Sequence, residues 1–265
     1  GLRIIDFRHE SAAAHAADAW ARLTRKPALV MVTGGPGHTN ALTGLATAYL
    51  AQSPLILVSG APAPGLAHRS GFQEIDQLAM ARPVAKWAAQ PAAAAQIPLF
   101  LARAWSEAMA GRMGPVHLNI PVDLFAAEVA NPLPVPRRIE TARPRPDPRD
   151  VERALALLRA AQRPVVIAGS GVWWADAREE LAAFLKKTRL PYYSITMARG
   201  VISDMWRYAL GYADPALNKA VRRAFQESDV VLVLGKRIDY RLALGGPRLF
   251  APEAKFIQVD IHAQE

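Results

Sequence analysis

Short apolar runs that alternate with amphipathic segments are the feature that most limits what this chain can fold into. A continuous apolar run such as residues 28–33 is typical of a parallel strand that is buried on both faces. The pattern predicts strands near residues 2–8, 28–33, 54–59 and 115–120, and again at 164–168, 191–195, 229–234 and 255–259. Such alternation indicates an α/β fold of two doubly wound parallel-sheet domains with right-handed crossovers.

A proline-rich stretch separates the two halves. Residues 131–149 contain six of the 21 prolines of the chain and show little apolar periodicity, so we expect an extended linker there. The predicted organisation is a first domain over residues 1–130, the linker, and a second domain over residues 150–265. A length of 265 residues suits two domains that each bury a core.

Composition excludes several classes of function. The formal net charge is +9, but the excess is spread along the chain and does not form the basic patch of a nucleic-acid-binding protein. The absence of cysteine excludes disulfides, thiolate catalysis and zinc held by cysteine. Because neither a signal peptide nor an apolar run of membrane length is found, we expect a cytoplasmic protein without nucleic-acid or membrane partners.

Two strand-to-helix turns carry the polar residues of the first domain. Glu10 follows the apolar segment 4–7, and the glycine turn 34–40 follows the strand at 28–33. Parallel strands end at one edge of a sheet, where such folds bind ligands. Taken alone, Glu10 is also explained as a carboxylate stabilised by the dipole of the helix that it begins. The turn lacks the lysine and Ser/Thr ending of a Walker loop and the glycine spacing of a dinucleotide fingerprint.

These segments resemble the acetolactate synthase-like family of thiamine diphosphate enzymes. The resemblance rests on Arg8-His9-Glu10, Gly35-Pro36-Gly37-His38-Thr39-Asn40, Gly71-Phe72-Gln73-Glu74, Gly114-Pro115-Val116 and Gly235-Lys236-Arg237-Ile238-Asp239. It implies a thiamine pyrimidine-binding domain followed by a Rossmann-like middle domain. It also implies a carboligase or lyase that forms or cleaves a carbon–carbon bond in 2-keto acids, aldehydes or 2-hydroxy carbonyl compounds.

The resemblance assigns roles to residues of the first domain. Glu10 would hold the ring nitrogen of the aminopyrimidine, which allows the coenzyme to deprotonate its own thiazolium carbon; Glu10 and Gln73 are the predicted catalytic residues. We expect an apolar environment, completed by a partner, to raise the pKa of Glu10. Pro36, Gly37 and Asn40 are predicted to bind the coenzyme.

Two further residues of the first domain are predicted to contact the substrate. Phe72 is expected to line the substrate pocket. His38 is assigned to the substrate as well, although a surface histidine that caps the next helix explains it equally well.

The resemblance leaves a second ligand open. Relatives hold FAD, or the ADP portion of an acyl-CoA, in the middle domain, and the matching residues here are Arg112, Gly169, Gly171, Arg237, Asp239 and Asp260. A glycine turn after a strand can offer backbone donors to a diphosphate, and a carboxylate at a strand end can bind ribose hydroxyls. Similar turns also occur in domains without nucleotides, so FAD, ADP and no ligand remain as alternatives.

Some segments resemble other branches of the family. Residues 197–202 are similar to 2-hydroxyacyl-CoA lyases and oxalyl-CoA decarboxylases, and residues 75–80 to benzaldehyde lyase. A lyase acting on an acyl-CoA substrate is therefore the alternative reaction. The alternative of another class is a non-catalytic nucleotide-binding module, in which Glu10 has no role.

The family also has a third domain, for which this sequence has no counterpart. That domain binds Mg²⁺ and the coenzyme diphosphate through a Gly-Asp-Gly segment. We therefore assign no metal ligand to this chain and expect the two domains alone to be inactive. We expect the full-length protein to be a homodimer or homotetramer.

Overall fold

The computed structural model describes residues 3–129, 136 and 144–262, and the chain divides into two compact units, residues 1–143 and 144–265. In the first unit the helices and strands are α1 (Glu10–Thr24), β1 (Ala28–Val32), α2 (Pro36–Ala51), β2 (Leu55–Ala61), α3 (Gln77–Ala81), β3 (Trp87–Ala89), α4 (Ile97–Met109), β4 (Val116–Pro121) and α5 (Asp123–Ala126). The four strands are parallel and lie in the order β1-β2-β4-β3. The carboxyl ends of β1 and β2 therefore lie side by side.

The strand predicted near residues 2–8 is wrong for the residues described. This segment pairs with no described strand, and Ile4 and Ile5 are 83% and 64% exposed. An apolar run becomes a strand only where a neighbouring edge satisfies its backbone N–H and C=O groups. Helix α1 follows at once, and the His9 ring caps it by accepting a hydrogen bond from Ser11 N at 3.1 Å.

Helices cover both faces of β2 but only one face of β1. Leu29 and Met31 are 50% and 64% exposed, so the expected burial of β1 on both faces is wrong. Leu55 and Leu57 of β2 pack with α1 and α2, whereas Ile56 and Val58 pack with α4. Helices α1 and α2 approach closely because residue 44 is a glycine: a Cβ atom there would lie 2.4 Å from the Cβ of Ala14. This contact brings the start of α1, and with it Glu10, close to the start of α2.

The second unit is a five-stranded parallel sheet. Its helices and strands are α6 (Pro148–Ala160), β5 (Pro164–Ala168), α7 (Ser170–Trp174), α8 (Arg178–Thr188), β6 (Tyr192–Ser194), β7 (Ala209–Tyr212), α9 (Ala220–Glu227), β8 (Val230–Leu234) and β9 (Lys255–Val259). The order is β7-β6-β5-β8-β9. Helix α6 begins inside the stretch predicted as a linker, most of which lies outside the described residues.

Alternate residues of β5 and β8 face opposite sides of the second sheet. Val165 and Val231 pack in a cluster with Phe225, while Val166 and Leu232 pack in another with Leu181 and Leu185 of α8. The sheet is therefore covered on both faces, as the doubly wound prediction requires. Within residues 3–129 and 144–262, no helix combines the length and the apolar character needed to cross a membrane.

Candidate functional site

A carboxylate and an amide meet beside the carboxyl end of β1. Asn40, in α2, donates from Nδ2 to Glu10 Oε2 at 3.1 Å. The backbone N–H of Glu10 and the Asn40 amide lower the pKa of this carboxyl group. In this chain alone, solvent reaches the carboxylate and two donors favour its ionised form. The rise in the Glu10 pKa was expected for an environment completed by a partner and stays a prediction.

The glycine turn between β1 and α2 fits closely against its surroundings. Gly35 has φ +58°, which favours glycine, and a Cβ atom there would lie 2.6 Å from the Cβ of Gln73. A Cβ atom on Gly37 would lie 2.7 Å from Thr33 Cγ2 and 3.4 Å from Glu10 Oε1. The turn thus brings four predicted site residues together: Glu10, Pro36, Gly37 and Asn40, with Gln73 against Gly35.

Gln73 lies on a loop with an unusual backbone. His68, Ser70 and Gln73 have φ values of 62°, 56° and 59°, and residues other than glycine that adopt such values concentrate at functional sites. Glu74 closes the loop by accepting hydrogen bonds from the backbone N–H of His68 at 2.8 Å and Gly71 at 3.0 Å. These donors lower the pKa of Glu74, so this carboxylate shapes the loop that presents Gln73.

An open pocket lies between this loop and the start of α2. Gly35, Pro36, Thr39 and Gln73 contribute to its lining. Phe72, which was predicted to line the substrate pocket, does not belong to the lining of this pocket; its ring is 86% exposed to solvent. The pocket is therefore lined by the side-chain amide of Gln73, the ring of Pro36 and the backbone of Gly35.

His38 does not face this pocket. Its ring is completely buried and packs on the ring of His117, with 4.6 Å between the centroids. Both interpretations of His38 are corrected: it is not a surface cap, and it has no exposed atom that could touch a substrate. His38 points from α2 into the interior of the unit. Burial there lowers the pKa of His38 to about 4 and that of His117 to about 3.

The two buried histidines predict a loss of stability in mild acid. An unfolded histidine has a pKa of about 6.5, so below that pH the unfolded chain binds more protons than the folded one. The free energy of unfolding should therefore fall as the pH is lowered from about 6.5 towards 4, by up to about 1.4 kcal/mol per pH unit for each ring. Denaturant unfolding at several pH values measures this slope.

Variants test the source of that slope. The substitution His38→Leu should reduce it by about half, because one of the two rings is removed. The control is His15→Gln, at an exposed position on α1, which should leave the slope unchanged. A slope that His38→Leu does not alter would contradict the role of the buried pair.

Sequence reasoning missed a buried polar network beneath the glycine turn. Ser59 Oγ lies 2.7 Å from His117 Nε2, and Gln77 Nε2 donates to Asn119 Oδ1. Gln77 Oε1 also accepts a hydrogen bond from Gly35 N at 2.6 Å. The sequence did contain an indication of this network. The polar residues Ser59, His117 and Asn119 interrupt the otherwise apolar strands β2 and β4.

The residues predicted to bind a nucleotide are divided between the two units. Arg112 lies in the first unit, next to the side-chain amide of Gln52. With the amide oxygen of Gln52 turned towards Arg112, Nη2 and Nε donate to it at 2.9 and 3.0 Å. The remaining five lie in the second unit.

Gly169 and Gly171 pack against the turn that follows β8. A Cβ atom on Gly171 would lie 2.6 Å from Gly235 Cα. The N–H of Gly169 donates to Leu234 O at 2.9 Å, and that of Gly171 to Gly235 O at 2.8 Å. The expectation that these two N–H groups bind a diphosphate is therefore wrong, because both are used inside the domain.

Asp239 is also engaged within the second unit. Its Oδ2 accepts a hydrogen bond from the buried Lys236 Nζ at 2.5 Å, and its Oδ1 accepts one from Arg241 N at 3.1 Å. Burial lowers the pKa of Lys236, and the Asp239 carboxylate opposes this effect. Arg237 and Asp260 are exposed. Among the residues that the structure describes, no three His, Asp or Glu side chains come together as a possible metal site.

Comparisons with known proteins place the chain in a family. Residues 1–80 match the family described as "Thiamine pyrophosphate enzyme, N-terminal TPP binding domain", and residues 151–265 match "Thiamine pyrophosphate enzyme, central domain". The two matched segments together include most of the chain.

Relatives with curated names are similar over nearly the whole chain. The chain is 36% identical over 263 residues to the probable acetolactate synthase large subunit of Methanocaldococcus jannaschii, covering 97% of this chain and 44% of that protein. It is 36% identical over 262 residues to the acetolactate synthase large subunit IlvG of Mycobacterium tuberculosis, covering 98% and 46%. It is 33% identical over 285 residues to oxalyl-CoA decarboxylase of Escherichia coli, covering 100% and 47%. The chain thus spans less than half the length of these relatives, and it belongs to the thiamine pyrophosphate enzymes, of which it carries the N-terminal and central domains.

Proposed function

We propose that the full-length protein is a thiamine diphosphate-dependent enzyme of acetolactate synthase type that forms or cleaves a carbon–carbon bond next to a carbonyl group. The observation that carries this proposal is the contact of Glu10 with Asn40 beside Pro36 and Gly37. The names of the relatives support 2-keto acids as the substrate class.

The residues present suit the aminopyrimidine of the coenzyme. Asn40 holds one carboxylate oxygen of Glu10, Oε2, while the other oxygen, Oε1, lies on the side of Gly37. Since Gly37 has no side chain, a flat ring can approach Oε1. When bound, thiamine diphosphate supplies the carbon nucleophile that attacks the substrate carbonyl.

Each residue of the site then has a defined task. Glu10 shares a proton with the ring nitrogen through Oε1, while the Asn40 amide keeps the carboxyl group oriented. Covering the carboxylate removes water and raises its pKa, which brings it towards the value that proton sharing needs. The backbone at Pro36 and Gly37 supports the ring, and the Gln73 amide, held on its strained loop, orients a polar group of the substrate beside Phe72.

A lyase or decarboxylase that acts on a CoA thioester is the second candidate. Its support is the similarity of the whole chain to oxalyl-CoA decarboxylase. A nucleotide portion, FAD or ADP, would then contact the second unit, where the side chains of Arg237 and Asp260 are exposed. Three further expectations stay predictions: Mg²⁺ is bound by a domain outside this chain, the full-length protein is a homodimer or homotetramer, and it is located in the cytoplasm.

Isothermal calorimetry on the purified full-length protein tests the proposal. We expect thiamine diphosphate with Mg²⁺ to bind and thiamine to bind far more weakly, because thiamine lacks the diphosphate. Turnover of pyruvate would support the synthase reaction, and turnover of oxalyl-CoA would support the second candidate. Binding of FAD or ADP without any binding of thiamine diphosphate would contradict both and indicate a nucleotide-binding module.

A further inference from the structure

Gln77 connects three segments of the first unit from a buried position. Only 2% of its surface is exposed. Its Oε1 accepts a hydrogen bond from Gly35 N at 2.6 Å, while its Nε2 donates to Gly60 O at 2.9 Å and to Asn119 Oδ1. One side chain thereby joins the turn after β1, the end of β2 and the end of β4.

The Gly35 turn depends on this connection. Gly35 has φ +58° and ψ −111° and is buried, so its N–H group is turned away from water. A buried donor without an acceptor is costly, and Gln77 Oε1 supplies the acceptor. The turn also lies close to β2, since a Cβ atom on Gly34 would lie 2.7 Å from Gly60 O.

The Gly35 turn determines where three proposed site residues lie. Gly35 is directly followed by Pro36 and Gly37, and its Cα side rests against Gln73, whose Cβ lies 2.6 Å from the position of an added Cβ. A shift of Gly35 would therefore move the surface that supports the aminopyrimidine and would release Gln73.

We infer that Gln77 is a positioning residue of the coenzyme site: its amide holds the Gly35 turn, and through it Pro36, Gly37 and Gln73, in the arrangement that binds thiamine diphosphate. This inference rests on the proposed function. Gln77 contacts neither the pocket nor Glu10, so it acts only through the turn.

The network contains a matched control. Gln90 accepts a hydrogen bond from Asn119 Nδ2 at 2.7 Å, so it belongs to the same network and has the same side chain. It has no hydrogen bond to the Gly35 turn. The substitutions Gln77→Met and Gln90→Met both keep the side-chain length. Gln90→Met removes the hydrogen bond to Asn119, whereas Gln77→Met removes those to Ser59, Gly60 and Asn119 and also leaves Gly35 N without its acceptor.

The experiment measures three properties of the full-length protein: the Kd for thiamine diphosphate with Mg²⁺, the midpoint of thermal unfolding, and hydrogen exchange of a peptide that contains residues 33–37. Both variants should unfold at a lower temperature than the wild type. Only Gln77→Met should also weaken coenzyme binding, by about tenfold, the ratio that corresponds to one unsatisfied buried donor, and speed exchange at residues 33–37.

The outcomes separate this inference from the proposed function. No binding of thiamine diphosphate to the wild type would refute the proposed function and this inference with it. If the wild type binds and Gln77→Met binds equally well, or if Gln90→Met loses as much affinity, only the positioning role of Gln77 is refuted. If Gln77→Met does not fold, Gln77→Asn replaces it, because asparagine keeps the amide but is too short to reach Gly35 and Asn119 together. Unchanged coenzyme affinity in Gln77→Asn, or an equal loss of affinity in Gln90→Met, would then refute the positioning role.

Discussion

The substitution Glu10→Gln should abolish proton exchange at the thiazolium carbon of thiamine diphosphate bound to the full-length protein. A glutamine can still accept a hydrogen bond from Asn40, but it cannot share a proton with the aminopyrimidine nitrogen. Loss of a general acid or base costs roughly 100- to 10,000-fold in rate, and kcat should fall within that range. Exchange is followed by the disappearance of the thiazolium proton signal in deuterated buffer.

The fold should survive the Glu10→Gln substitution. Glu10 lies in the first turn of α1 with solvent at its carboxylate, and the His9 cap remains, so the midpoint of thermal unfolding should change little. Asp6→Asn is the matched control, since Asp6 is an exposed carboxylate of the same segment, and its exchange rate should equal that of the wild type. Undiminished exchange in Glu10→Gln would remove Glu10 from the mechanism.

Phe225→Ala should strongly destabilise the second unit. The ring is completely buried, stacks on Phe250 at 5.1 Å between centroids, and meets the edge of Tyr193 at 5.1 Å. Removing such a ring leaves a cavity in a close-packed core and costs about 3–5 kcal/mol of unfolding free energy. Denaturant unfolding measures the loss.

An exposed aromatic residue of the same unit provides the comparison for Phe225. Tyr240 is 75% exposed, so Tyr240→Ala removes a ring of similar size without opening a cavity and should cost far less. Equal losses in the two variants would show that the Phe225 ring is not part of a packed core. A loss near zero in Phe225→Ala would show the same.

Apolar runs predicted most of the strands that have partners in the structure. Strands β1, β2 and β4 in the first unit and β5, β6, β8 and β9 in the second lie where these runs predict them. The segment near residues 2–8 also contains apolar residues, among them Ile4 and Ile5, but pairing depends on a neighbouring edge, which a local pattern does not contain. Strands β3 and β7 were missed because neither belongs to a long apolar run.

The site was predictable where neighbours in sequence determine it. The glycine turn and Asn40 are close together in the chain, and family resemblance added Glu10 and Gln73. The burial of His38 depends on His117, and the role of Gln77 depends on Gly35, 42 positions away. Likewise, Gly169 and Gly171 serve the turn at Gly235, a contact across the sheet that the glycine spacing alone does not distinguish from a phosphate loop.

The contact between Ala14 and Gly44 constrains how this family can vary. An added methyl group at position 44 would lie 2.4 Å from the methyl group of Ala14, so the helix pair has room for one of these groups only. Positions 14 and 44 should therefore change together among relatives, with a larger residue at one position only where the other is glycine. Glu10 lies one turn before Ala14 on α1. A substitution at position 14 or 44 that pushed the two helices apart would therefore displace the Glu10 carboxylate, so the site also constrains these two residues outside it.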